Sequence, residues 1–175
     1  MKLTNEERSR VIRSASIPNR GAAPPRAVLQ ALVSLVPNDQ EIKATICAVK
    51  NGQDRITWRL LSVTKDAVIF VEASRVSKDW WMLNPKDEQP AEHLDAWIKP
   101  LRDVRRVGVV ETESRDDDFY QEEWRWVTAH NVTFKDDMTV LVPPFGGLPS
   151  AQEQDAVEGF IGSVLHGLIG IENRP

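Results

Sequence analysis

Trp124, Trp126, Thr128, His130, Val132 and Phe134 alternate along one stretch, which sets an imidazole among aromatic and aliphatic side chains on a single strand face. A buried histidine there can trade a proton near neutral pH. Such a residue more often stays neutral in a core with one hydrogen bond, and no serine or cysteine stands at a recognisable nucleophile spacing from it. Asp116-Asp117-Asp118, flanked by Glu111, Glu113, Glu122 and Glu123, offer oxygen ligands for a hard cation. Their spacing is not that of an EF-hand, which needs acids at alternate positions and a glycine turn, so the run reads as a solvated acidic loop. Three scattered histidines and the single Cys47 do not form a zinc set. No catalytic residue, cofactor or metal is assigned.

The remaining candidates are surfaces. Phe119 and Tyr120 adjoin the acids, and exposed aromatics beside acids suit a protein contact. In Trp80-Trp81, neighbouring strand residues face opposite ways, so one indole can enter the core while the other anchors a partner. Those four aromatics, with the polar loop 84–95, are the expected partner-binding rim.

Elements that would position them follow from periodicity. Thr4 and Glu7 form a capping box ahead of a short first helix. Pro25 opens a second helix carrying Val28, Leu29, Leu32, Leu35 and Val36, which Pro37-Asn38-Asp39 ends. From residue 40 the period changes to two. Strands are expected at 42–49, 56–60, 67–73, 80–83, 104–112, 123–134 and 138–142, with an extended piece at Trp97-Ile98. Asn51-Gly52 signals a two-residue hairpin, and Pro143-Pro144 stops the last ladder. Ser150 and Glu153 cap a final helix whose stripe is Val157, Phe160, Ile161, Val164, Leu165, Leu168 and Ile169, with a stop at Gly170.

The stretch Asn131 to Val140, the Pro143-Pro144-Phe145-Gly146-Gly147 exit and the stripe from Val157 to Ile169 together resemble the pleckstrin-homology superfold over about 40–170. The resemblance is one of architecture, and this final helix carries Phe160 where many such domains carry a tryptophan. It implies an α+β fold: a PH-like bent antiparallel β-barrel of about seven strands closed by a C-terminal capping helix, here preceded by two N-terminal helices. The expected division is 1–39 for the helical extension and 40–175 for the barrel. The resemblance also implies an anion site around the first hairpin and the third-to-fourth strand loop. The matching positions hold Lys50, Arg55, Arg59, Arg75 and Lys78; the arginine guanidinium groups would make bidentate phosphate contacts and the lysine ammonium groups single ones. Thr57 stands where the pattern wants a further basic residue.

The net charge of −4 is unevenly spread, with +4 over residues 1–36 and seven acids within 111–123. An acidic body argues against a nucleic-acid binder. No apolar run is long enough to span a membrane, and the N-terminus has no signal-peptide core. The lone cysteine fits a reducing, cytoplasmic compartment. The expected function is therefore a non-catalytic cytoplasmic protein-interaction module. Two alternatives remain: a peripheral binder of anionic lipid headgroups, and a helix-grip small-molecule binder or enzyme with a pocket near His130.

Overall fold

The computed structural model describes residues 24–37, 40–77, 80, 89–115 and 125–172. Helix α1 (Arg26–Leu35) leads into strands β1 (Ala44–Asn51), β2 (Ile56–Val63), β3 (Ala67–Arg75) and β4 (His93–Pro100). A 3-10 turn (Leu101–Asp103) precedes β5 (Val104–Arg115), β6 (Arg125–Phe134) and β7 (Thr139–Val142), and helix α2 (Ala151–Glu172) ends the chain.

The seven strands form two antiparallel sheets, β1-β2-β3-β4 and β5-β6-β7, and not a closed barrel. The expected barrel is corrected by the corner between β4 and β5. Pro100 has no N–H to donate there. The Leu101 N–H donates to the Asp66 carbonyl, and the Asp103 carbonyl accepts from the Lys135 N–H. Backbone groups that would continue a ladder from β4 into β5 are thus bound to the turns of both sheets. One N-terminal helix, α1, lies among the described residues; the capping box at Thr4 falls outside them.

Other boundaries also move. The fourth strand is His93–Pro100, within and beyond the expected polar loop, while Trp80 lies in a turn and 81–88 fall outside the described residues. β4 is an edge strand with half its side chains exposed and none buried, so it carries no clean alternation. The first hairpin connects through 52–55, closed by the Gly52 N–H on the Arg55 carbonyl, and not through a two-residue turn.

Register builds the core. On one face of the first sheet, cross-strand rows read Ala44-Val63-Val68-Lys99, Ile46-Leu61-Phe70-Trp97, Ala48-Arg59-Glu72-Asp95 and Lys50-Thr57-Ser74-His93. The apolar part of the first two rows packs with Val104, Val132, Phe134, Val142 and the α2 residues Val157, Phe160, Ile161 and Val164. The opposite face, with Cys47, Trp58, Leu60, Ile69 and Val71, packs against α1 and Trp80 in a second core. The first sheet is therefore the middle layer.

Helix α2 begins as expected: the Ser150 N–H donates to Glu153 Oε2, and the Glu153 N–H donates to Ser150 Oγ. It runs past Gly170 to Glu172. A Cβ on Gly167 would stand 2.5 Å from the buried Leu101 side chain, so the absent side chain lets helix and corner approach. Gly167→Ala is expected to destabilise by about 1–3 kcal/mol through overpacking. Gly159→Ala, in open space, is expected to stabilise by about 1 kcal/mol. Paired urea melts of the two variants check the opposite signs.

Candidate functional site

The third and fourth rows of the first sheet extend beyond the cover of α2 and the second sheet, leaving a polar platform. Arg59 is its centre. Its Nε pairs with Glu72 Oε2, its Nη1 donates to the Pro144 carbonyl at 3.1 Å, and its Cζ lies 4.6 Å from the Phe145 ring centroid. A β2 side chain thereby ties the first sheet to the segment leaving β7. Arg55 Nη1 donates to Ser74 Oγ at 2.9 Å and approaches Glu92 at 4.0 Å.

Of the cations expected to hold an anion, Lys50, Arg55 and Arg59 are brought to this one side. Arg75 is not. It pairs in register with Ile56, on the face that packs against α1, and its Nη1 donates to the Pro90 carbonyl. Lys78 lies outside the described residues. Arg59 already holds a carboxylate, a carbonyl and a ring, so its fork is engaged within the fold.

The expected partner-binding aromatics have a similar outcome. Trp80 is fully buried in the core beneath α1, its Nε1 donating to the Gln89 carbonyl at 3.4 Å. Trp81, Phe119 and Tyr120 fall outside the described residues. So do Trp124 and the acids 116–118.

A different apolar surface is present on the second sheet. His130 pairs in register with Val109 on one side and Val142 on the other, and Trp126 and Thr128 share its face by alternation. Val132 and Val142 on that face are buried, yet Val109 is 63% and Trp126 58% exposed. The cover stops at His130. There β7 has ended at Val142, and Gln154 of α2 substitutes for the missing strand by accepting the Thr128 N–H at 3.1 Å. Beyond it the face passes through half-buried Thr128 to exposed Trp126. The sequence reading placed Trp126 on the His130 strand face but passed over Val109 and Val110; the signal available was Val107-Gly108-Val109-Val110, an uncharged run between two arginines and two glutamates.

His130 is half-buried at this boundary. Desolvation lowers its pKa below the usual imidazole value, and the Glu158 carboxylate on α2 offsets part of that. The folded state therefore favours the neutral ring. As pH falls through the unfolded value of about 6.5, the unfolded chain takes up a proton that the folded chain resists, so stability falls with it. Urea midpoints at pH 7 and pH 5 should differ more for the wild-type chain than for His130→Gln. Asp136 lies outside this window. Its carboxyl is held below the usual range first by Lys99, so its contribution is lost only below about pH 4.

Nucleophilic and metal chemistry find no support among the described residues. Cys47 is buried in the core under α1, and burial pushes its thiol far above the ordinary range, so thiolate is scarce at neutral pH. Among the described residues no group of three or more His, Cys, Asp or Glu side chains comes together to hold a metal ion. An open groove of about 690 Å³ runs along α1 and the start of β4, lined by Arg26, Gln30, Ser34, Pro90 and Leu94 among others. It lies across the first sheet's outer side and does not involve His130.

The fold and site thus define a two-sheet, mostly antiparallel α+β protein with Val109 and Trp126 exposed on one face of the second sheet. Comparison with protein-family models, curated proteins and solved structures returned no match. Among the described residues no helix is long and apolar enough to cross a membrane.

Proposed function

We propose that this chain is a non-catalytic protein-interaction module, and that its contact face is the exposed Trp126 side of the second sheet. The observation that supports this reading is Trp126, 58% exposed on the face where Val132 and Val142 are core residues. An indole on a rigid strand supplies a large contact area at little entropic cost, and tryptophan is enriched among residues that dominate binding energy. Val109 extends the face, and Thr112 and Thr128, paired in register, lie between them.

The test is a tagged purification from the native host at near-physiological salt, comparing the wild-type chain with Trp126→Ala. A stoichiometric protein partner should co-elute with the wild type and bind the variant at least about thirtyfold more weakly, while the melting temperature stays unchanged. Equal recovery with both chains would remove Trp126 from the interface. Recovery of anionic lipid alone would replace this reading by the headgroup-binding one.

A further inference from the structure

We infer that the chain associates with a second copy of itself by antiparallel pairing of β5 edges, joining the two three-stranded sheets into one. β5 is twelve residues long, and β6 is its only ladder partner among the described residues. An edge strand without a described neighbour is a template for another strand.

The charge order along the edge selects the occupant. Arg105 and Arg106 precede Val107-Gly108-Val109-Val110, and Glu111 and Glu113 follow it. A strand that reads basic, apolar, acidic is complementary to its own reverse. Antiparallel pairing about a two-fold axis near the valines sets each arginine end against the other copy's glutamate end.

Facing agrees with this. Arg106, Glu111 and Glu113 pair in register with Thr133, Ala129 and Val127, three alternating β6 positions that share one face. A two-fold axis perpendicular to the sheet preserves that face, so the opposite charges meet on one side of the joined sheet. Val109 and Val110, 63% and 55% exposed, would cover one another at the axis. Val110 is the extra residue where the register shifts between Val109 and Glu111, so the irregularity sits at the centre of the junction. One strand pair buries little area, which sets a reversible, concentration-dependent dimer. The association uses the strand edge and not Trp126, and goes beyond the partner reading above.

Sedimentation velocity over a concentration series tests it, with circular dichroism as the folding control. The wild-type chain should show a monomer–dimer equilibrium that weakens with added salt. Arg106→Glu should weaken it at least about tenfold, and so should Glu111→Arg combined with Glu113→Arg, because each homodimer then opposes like charges. An equimolar mixture of these two variants should dimerise again, since each supplies what the other lacks. Trp126→Ala should dimerise like the wild type, which separates failure of this inference from failure of the partner face. A wild-type chain that stays monomeric throughout overturns the inference, as do reversed variants that both dimerise unchanged, or a mixture that stays monomeric.

Discussion

Phe160→Ala is expected to lower the unfolding free energy by about 3–5 kcal/mol, the cost of removing a fully buried aromatic side chain and leaving its cavity. Phe160 has no exposed surface and belongs to the core in which α2 meets residues of both sheets, among them Ile46, Leu61, Phe134 and Val142. No single strand of the second sheet can relax into the vacated volume without leaving its ladder. A control on the same helix sharpens the test: Leu165 is 44% exposed, so Leu165→Ala should stay near about 0.5 kcal/mol. Urea denaturation of both variants against wild type measures the difference. A Phe160→Ala cost below about 1 kcal/mol would mean that α2 does not hold the two sheets together.

Trp58→Ala should produce a loss of similar size, about 3–5 kcal/mol, from the other side of the first sheet. Trp58 is fully buried with Cys47, Leu60, Val71, Leu32 and Trp80, and its indole Nε1 is buried without a hydrogen-bond partner. A buried donor left unpaired costs about 1–3 kcal/mol. Trp58→Phe gives up volume but also removes that donor, so the two effects oppose, and the net loss should stay below about 1.5 kcal/mol. Trp58→Phe and Phe160→Leu lie in different cores, and their costs should add within about 0.5 kcal/mol. A Trp58→Phe loss as large as that of Trp58→Ala would show that the indole is held by more than shape.

Local signals were readable wherever one residue pattern sufficed. The capping box at Ser150 and Glu153 forms as its spacing requires, because both partners lie within one turn. Val157, Phe160, Ile161 and Val164 are buried as their stripe implies, but Leu165 and Ile169 are exposed. Periodicity shows which side chains share a helix face; it does not show how wide the surface receiving that face is. Of β4 only the extended piece at Trp97-Ile98 was legible, because an edge strand needs no apolar alternation, and His93-Leu94-Asp95 reads as loop until β3 pairs with it.

The candidate sites divide in the same way. That Arg55 and Arg59 lie on one side of β2 follows from alternation. That Arg59 is engaged by Glu72, Pro144 and Phe145 depends on cross-strand register and on a segment 85 residues further along the chain. Trp80 was expected on the partner-binding rim, and its place in the core depends on α1, which lies far from it in sequence.

By itself the sequence determined the strand-rich composition, the two described helices, most of the hairpin order and the uncharged run of β5 between opposite charges, since each depends on residues close together in the chain. Only the tertiary structure decided that the strands divide at the Leu101–Asp103 corner into two sheets, and that the His130 face of the second sheet passes from buried at Val132 to exposed at Trp126. Both outcomes arise from where distant backbone groups find their hydrogen bonds, the Leu101 N–H on Asp66 and the Thr128 N–H on Gln154, and no local pattern encodes those partners.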